Sequence, residues 1–428
     1  MSTETIKWIK NNSAFCVAPI SRLDFRMIHG KFKVISCCNL DISLSNKELD
    51  FDFIENVKTS MASGELPESC WRCNLEESNQ AQSERVNLML DYSVDELEQF
   101  KQINKTDEFQ IGMRFSNLCN LACRSCNSND SNLWAKLMNF PVGLGADSDI
   151  SLNESYWNEM TNMIRVKHKE NPRFIVHPIG GETMVQPGFL KLIDWLIDEN
   201  LASTIGLRIT TNFTINLTEN LVEKLSQFWR VEFLASIDSI GDNYHYVRWP
   251  ARFDKIENNL KTVALLITQN PEKFLFQVTP VFSLNNIFYA VDYLDWWENW
   301  ADQTQTELSL NCIHLYQPTY LMIENLPSQY RPILVPMLEK CVDHNIFKKY
   351  KLTHARPTVL HEYFISMLEI LKNSTPDTES SFVDYLKFTA DYDNRTSVDS
   401  YVLNSKLFNL LTHTHQHIYN SHLKHVQS

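Results

Sequence analysis

The sequence lacks the features that would place the chain in a membrane, outside the cell or on nucleic acid. No run of 18 or more apolar residues occurs, so we predict no membrane span. The first residues, MSTETIKWIKNN, lack the apolar centre of a signal peptide, and we expect a cytoplasmic protein. With 39 Lys and Arg against 52 Asp and Glu, the formal net charge of −13 argues against general nucleic-acid binding.

Glycine is also scarce, at 10 of 428 residues, so glycines that recur within a short motif are informative. The composition, 43% hydrophobic and 21% charged, is that of a globular protein and not of a disordered one. A chain of this length predicts two or three structural units.

From about residue 109 the sequence alternates short β-type runs with amphipathic helical runs. The six predicted strands are 109–118, 173–180, 205–212, 231–238, 274–281 and 307–315. Helical periodicity follows in stretches such as PGFLKLIDWLIDEN and FDKIENNLKTVALLI. This order predicts an α/β fold with a parallel sheet, open or closed into a partial barrel, whose ligands bind at the carboxyl ends of the strands.

Three cysteines lie within eight residues at the end of the first predicted strand. Cys119, Cys123 and Cys126 form a C-x3-C-x2-C pattern in CNLACRSCN. A structural zinc site needs four ligands, so zinc would require a distant fourth residue. A four-iron cluster bound by three thiolates keeps one iron without a protein ligand, and such an open position favours chemistry over a structural role.

This pattern, at the end of the first strand of six βα units, resembles the radical SAM superfamily. The resemblance implies a partial (β/α)6 TIM-like barrel and a [4Fe–4S] cluster whose open iron binds S-adenosylmethionine. It further implies that reductive cleavage of this cofactor gives a 5′-deoxyadenosyl radical, which abstracts hydrogen from a substrate. An electron donor such as flavodoxin or ferredoxin would supply the electron.

Further matches to the family follow the next three strands. Gly180, Gly181 and Glu182 are similar to its GGE motif, which implies a hydrogen bond to the cofactor's amino group. The third strand ends in TTN, a partial match to TNG, with Asn212 as a cofactor-site residue.

The fourth strand leads into SIDSIGDNYHYVR, which resembles the family's SIDG…R stretch. The resemblance implies that Ser236 contacts the cofactor, that Arg248 pairs with its carboxylate, and that Asp238 forms a polar wall. An exposed loop charge is the alternative for Arg248. The residue before the last cysteine, often aromatic in the family, is Ser125 here, so the adenine pocket stays unassigned.

A second set of cysteines precedes the barrel. The pattern of a cysteine, a hairpin ending in cysteine and a later CxxC resembles SPASM and twitch modules, which implies an auxiliary [4Fe–4S] cluster. Its ligands would be Cys16, Cys37 or Cys38, Cys70 and Cys73. Zinc is the alternative, because four thiolates suit it equally well. We expect this N-terminal segment to pack over the carboxyl ends of the strands, close to Cys119.

The sequence therefore predicts three units: an auxiliary iron–sulfur module at 1–105, the radical SAM barrel at 106–325 and a helical extension at 326–428. The predicted activity is that of a radical S-adenosylmethionine enzyme, and the resemblance favours a peptide or protein substrate. The alternatives are a non-catalytic iron–sulfur electron carrier and a zinc-stabilised interaction protein.

Overall fold

A computed structural model describes residues 3–28, 31–45, 47–79, 83–90, 92–106, 108–141, 149–350, 359–373 and 378–425. Within these residues the strands form one sheet, ordered β2-β1-β3-β4-β5-β6-β7-β8. The strands are β1 (Arg22–Ile28), β2 (Lys31–Ile35), β3 (Gln110–Arg114), β4 (Ile175–Ile179), β5 (Gly206–Thr211), β6 (Arg230–Ala235), β7 (Phe274–Val278) and β8 (Ser309–Leu310).

The six predicted strands are confirmed as β3 to β8, each shorter than its apolar run. They are parallel, and each pairs with its neighbour in sequence, as at Gln110 opposite Ile175 and Phe233 opposite Phe276. The runs are longer because the residues that follow each strand stay buried in the loops at its carboxyl end. The fold is therefore mixed α/β, with six consecutive parallel strands.

The N-terminal hairpin extends this sheet. Strand β1 pairs antiparallel with β2 and parallel with β3, where Arg22 lies opposite Gln110. The hairpin predicted from FRMIHGKFKVISCC is thus present, although its turn at 29–30 lies outside the described residues. The sheet crosses the proposed boundary at residue 105, and the division into three units stays a prediction.

Helices cover the outer side of the parallel strands. Apolar residues from both layers are buried there, among them Ile193, Phe233 and Leu260. The helices predicted from periodicity are confirmed, because their apolar residues recur on one side as packing requires. In this region the helices are α7 (Asn132–Met138), α8 (Glu154–Glu170), α9 (Pro187–Asp198), α10 (Glu219–Leu225), α11 (Gly241–Val247), α12 (Phe253–Gln269) and α13 (Ala290–Thr304).

The opposite face of the sheet is polar. Arg208 on β5 donates to Glu232 on β6 (2.6 Å) and to Gln110 on β3 (2.6 Å). Arg230, on β6, reaches Glu108 beside β3 at 3.6 Å, a contact that spans three strands. This face lines a cavity of about 980 Å³ toward the amino ends of the strands.

Further helices precede and follow the parallel strands in the sequence. Before β3 they are α1 (Thr3–Asn11), α2 (Ala18–Ser21), α3 (Phe51–Ala62), α4 (Trp71–Ser78), α5 (Glu84–Met89) and α6 (Val94–Ile103). After β8 they are α14 (Arg331–Val342), α15 (Ile346–Lys349), α16 (Val359–Asn373), α17 (Glu379–Thr396), α18 (Ser400–Leu403), α19 (Ser405–Phe408) and α20 (His413–His425). Of the helices in the described part of the chain, none has the length and apolar character to cross a bilayer.

Candidate functional site

The three-cysteine loop begins just beyond β3, at the carboxyl edge of the parallel strands. The backbone N–H of Cys119 donates to Asn132 Oδ1 (3.0 Å), at the start of α7. Ser131, which caps this helix, donates its hydroxyl to the carbonyl of Leu121 (2.6 Å). The helix start therefore fixes the loop, and it gives a cluster a rigid support.

The three thiols share one buried environment. Burial raises the pKa of Cys119 to about 12, and the neighbouring Cys123 adds to this rise. Burial likewise raises the pKa of Cys126, with further contributions from Cys123 and Cys119. Burial also raises the pKa of Cys123, where the Arg248 cation opposes it. Metals bind thiolates, so loading this site would release protons.

Glu182 lies one βα unit further on and is almost completely buried, at 1% exposure. Its Oε1 accepts hydrogen bonds from Met184 N (3.0 Å) and Thr211 Oγ1 (2.7 Å), and its Oε2 accepts from Asn212 N (2.5 Å). Burial raises the pKa of this carboxyl, and these donors oppose the rise. The side chain thus joins the loops after β4 and β5, and only Oε2 keeps room for a further donor.

The two glycines before it pack against protein. A Cβ on Gly180 would lie 2.4 Å from Ser116 O, and one on Gly181 would lie 2.4 Å from Leu118 O. Gly181 N donates to Ser116 O (3.1 Å). The glycines are needed here because this turn lies directly on the chain that leads into the cysteine loop.

Asn212 links the loop after β5 to the cysteine loop. Its Nδ2 donates to Asn120 Oδ1 (2.8 Å), and its own Oδ1 accepts from Thr214 N (3.0 Å). The adjoining Ser236, at the end of β6, is half-buried and donates its backbone N–H to Thr211 O (2.8 Å). The ends of β3, β5 and β6 therefore meet around the cysteine loop.

Asp238 and Arg248 form a buried ion pair beside the thiols. Arg248 Nε donates to Asp238 Oδ2 at 2.7 Å, and Arg248 Nη1 lies 3.8 Å from Cys123 Sγ. Asp238 Oδ1 accepts from Val281 N (2.9 Å), which fixes the carboxylate. Arg248 is thus buried, and not the exposed loop charge of the alternative interpretation.

The N-terminal cysteines gather at the opposite edge of the sheet. Because β1 runs parallel to β3, Cys16, which precedes β1, lies at the amino ends of the strands. Because β2 runs antiparallel, Cys37, which follows it, lies there too. The expectation that this segment covers the carboxyl ends near Cys119 is therefore wrong. Its physical reason is the hairpin, which joins the edge of the sheet and turns its cysteine-bearing ends the other way.

All five of these thiols interact, with Cys37 at the centre. Burial raises the pKa of Cys16 and Cys70 to about 12, and Cys37 contributes to both rises. Burial also raises the pKa of Cys73, again with a contribution from Cys37. A hydrogen bond from the exposed Cys38 lowers the pKa of Cys37 to about 6. Within the described residues, no three His, Cys, Asp or Glu side chains are arranged to hold a single metal ion.

Two residues of the site were not predicted from the sequence. Asn120 lies inside the cysteine motif and bonds to Asn212, but neither its type nor its spacing marks it. Arg124, also inside the motif, pairs with Asp393 in α17. A charged residue between two cysteines is a sequence signal that could have marked Arg124. Its partner Asp393 lies 269 positions away, and no local pattern indicates that partner.

No family model and no curated protein matches the chain. Among solved structures it is similar to native anSMEcpe with bound AdoMet, at 16% identity and a TM-score of 0.38, over 56% of this chain and 62% of that one. A second anSMEcpe structure, with AdoMet and the Cp18Cys peptide, shares 17% identity with a TM-score of 0.35, over 55% and 60%.

SuiB of Streptococcus suis is similar at 13% identity and a TM-score of 0.34, over 75% of this chain and 68% of that one. The matched part spans about three-fifths of the length of the two anSMEcpe chains.

Proposed function

We propose that the chain is a radical S-adenosylmethionine enzyme, with its cofactor site at the carboxyl ends of β3 to β6. The observation that carries the proposal is the placement of a buried arginine, Arg248, against the buried Cys123, in a loop whose other two thiols are half-buried. Three thiolates can hold a four-iron cluster with one iron open. A cation beside one of these sulfurs would suit the carboxylate of a bound cofactor.

The donor set fits both groups. Cys119, Cys123 and Cys126 supply three sulfur ligands. Their charges affect one another's pKa, as expected of thiols close enough to bind one cluster. The hydrogen bond from Arg248 Nε to Asp238 fixes the guanidinium group, and so fixes the position of its other two nitrogens. When bound, the cluster and S-adenosylmethionine supply a 5′-deoxyadenosyl radical by reductive cleavage, with the electron coming from a flavodoxin- or ferredoxin-type donor.

The chain's own residues orient the cofactor and keep the site closed. Arg248 would bind the carboxylate of the cofactor, and Glu182 would accept from its amino group through the free side of Oε2. Ser236, Asp238 and Asn212 would form the polar walls. Gly180 and Gly181 act less directly than their motif suggests, because they pack this loop against residues 116 to 118.

The sheet that carries the site is proposed to be a partial (β/α)6 barrel. Its polar face, crossed by the ion pair between Arg230 and Glu108, would form the interior of that barrel. The cavity of about 980 Å³ on this face lies toward the amino ends of the strands, and a substrate that reacts at the cofactor would instead lie at the carboxyl ends. We propose a peptide or a segment of a protein as the substrate, because the SPASM- and twitch-like pattern of the N-terminal cysteines favours one.

An auxiliary [4Fe–4S] cluster is proposed at the amino ends of the strands, held by Cys16, Cys37, Cys70 and Cys73. The mutual effects of these thiols support it, and they favour Cys37 over the exposed Cys38. At this edge the cluster would stabilise the hairpin. It would also lie near the cavity, because Arg22 lines the cavity and the charge of Cys37 contributes to the raised pKa of Arg22.

The test is anaerobic purification and reconstitution of the full chain, followed by iron, sulfide and zinc analysis and electron paramagnetic resonance. We expect about eight irons per chain, in two four-iron clusters, and a change in the reduced spectrum on adding S-adenosylmethionine. Iron without that change would favour a non-catalytic electron carrier. Zinc in place of iron would overturn the proposal in favour of a zinc-stabilised protein.

A further inference from the structure

The cysteine loop is tied to the helical extension by a fully buried ion pair. Arg124, between Cys123 and Cys126, donates through Nη2 to Asp393 Oδ1, and neither side chain has any exposed surface. Arg124 Nε donates to the carbonyl of Tyr246 at 2.8 Å. A buried pair is costly unless its remaining polar groups are bonded, so its surroundings indicate whether the arrangement is built or incidental.

The carboxylate of Asp393 is held from several sides. Its Oδ2 accepts from Ser400 Oγ (2.6 Å), from Ser400 N (3.2 Å) and from Tyr419 OH (2.6 Å). These donors come from α18 and α20. The negative charge is thus kept in place by elements other than the one that carries it, which is how proteins retain a buried carboxylate.

Aromatic rings flank the cation, whose Nη1 has no hydrogen-bond partner among the described residues. The Arg124 guanidinium lies 3.8 Å from the ring centre of Tyr246 and 4.2 Å from that of Tyr392, distances typical of cation–π contacts. Tyr392 also donates its hydroxyl to the carbonyl of Ala122, inside the cysteine loop. Helix α17 therefore contacts both the side chain of Arg124 and the backbone of the cysteine loop.

The same segment of loop is joined to the neighbourhood of Arg248. Ala122 N donates to Trp249 O (2.8 Å), and Arg124 N donates to Val247 O (3.0 Å). Burial raises the pKa of Tyr392, the Arg124 cation opposes this, and the thiols of Cys123 and Cys126 add to the rise. Tyr392 and Arg124 thus lie within electrostatic reach of two of the three sulfurs.

We propose that Asp393 is a positioning residue for the cluster: it fixes Arg124 between the cysteines and balances its charge, and so tunes the reduction potential of a cluster held there. This inference rests on the proposed function. In a dry interior, charges act strongly on each other and on a cluster. An unbalanced cation favours the state that holds one more electron, and an unbalanced carboxylate disfavours it.

The test compares the full, anaerobically reconstituted chain with three variants by iron analysis and by potentiometric titration with dithionite, followed by electron paramagnetic resonance. Dithionite supplies the one electron that the cluster takes up. Asp393→Asn leaves Arg124 unbalanced, so we expect the midpoint potential to become more positive. Tyr419→Phe removes a donor from the carboxylate, which becomes more strongly negative, so we expect a smaller shift in the opposite direction.

Asp391→Asn is the matched control, because Asp391 lies on the same helix but pairs with the half-buried Arg395, and it should shift nothing. Shifts of opposite sign cannot arise from general loosening of the loop. A cluster with its full iron and an unshifted potential in Asp393→Asn overturns the inference alone. If Asp393→Asn does not fold, an unshifted Tyr419→Phe overturns it. A parent chain that takes up no iron overturns the proposed function and this inference with it.

Discussion

Arg248 lies against Cys123, with its Nη1 3.8 Å from the sulfur, while its Nε is bonded to Asp238 at 2.7 Å. The arginine follows α11, and the cysteine follows β3, 125 positions earlier in the chain. This contact brings a fixed cation next to the thiols that the sequence marks as cluster ligands. It joins the cysteine motif and the SIDSIGDNYHYVR stretch into one site.

Arg248→Gln should weaken S-adenosylmethionine binding and leave the iron content unchanged. A charged hydrogen bond contributes about 1.5–3 kcal/mol, so we expect a loss of affinity of about 10- to 100-fold. Equilibrium dialysis on the reconstituted chain measures it. The control is Arg165→Gln, whose partner Glu199 is on the surface and whose change should leave the affinity as it was. Equal affinity in both variants would remove Arg248 from the cofactor site.

Glu182→Gln should lower both the thermal stability and the cofactor affinity. The amide cannot satisfy the three donors that the carboxylate accepts, and leaving one buried N–H without a partner costs about 1–3 kcal/mol. Thr211→Val is the companion variant, because it removes one donor and keeps the carboxylate. We expect it to lower stability alone. If Glu182→Gln changes stability but not affinity, its role is to join loops and not to bind the cofactor.

The strands, the main helices and the grouping of the site at their carboxyl ends were predictable, because local periodicity and short motifs encode them. The position of the N-terminal cysteines was not. It depends on whether the hairpin pairs with β3 in a parallel or antiparallel sense, and residues 22 to 35 carry no local signal for that. The partnership of Arg124 with Asp393 was hidden for the same reason, since only the folded chain brings them together.

Cys37→Ala and Cys38→Ala should separate the two candidate ligands of the auxiliary site. Cys37 contributes to the raised pKa of the other three proposed ligands, whereas Cys38 is exposed. We expect Cys37→Ala to lose about four irons per chain, as the loss of a ligand to one cluster would require, and Cys38→Ala to lose none. The cluster of the Cys119 loop serves as the internal standard. The reverse result would assign the ligand to Cys38.

His177 should make the folded chain sensitive to acid. Burial, followed by the cations of Arg208 and Arg22, lowers the pKa of His177 to about 3, and its Nε2 lies 2.9 Å from Thr210 Oγ1. The folded state therefore favours the neutral ring. Its contribution to stability is complete above the unfolded pKa of about 6.5 and is lost as the pH falls toward 3.

The loss reaches up to about 2 kcal/mol at pH 5. Because the ring also lines the cavity, water there screens part of the effect, and this figure is an upper bound. Chemical unfolding between pH 5 and 7.5 should show a shallower pH dependence for His177→Gln than for the parent chain. The exposed His413→Gln is the control and should follow the parent. Parallel curves for all three proteins would contradict the assignment.

The most direct measurement is the formation of 5′-deoxyadenosine by the reconstituted chain when S-adenosylmethionine and dithionite are supplied without oxygen. We expect 5′-deoxyadenosine and methionine to appear together, to depend on the reductant, and to be absent from the variant with Cys119, Cys123 and Cys126 all replaced by alanine. A parent chain that holds its iron and binds S-adenosylmethionine, yet forms no 5′-deoxyadenosine above the level of that variant, would contradict the proposed function.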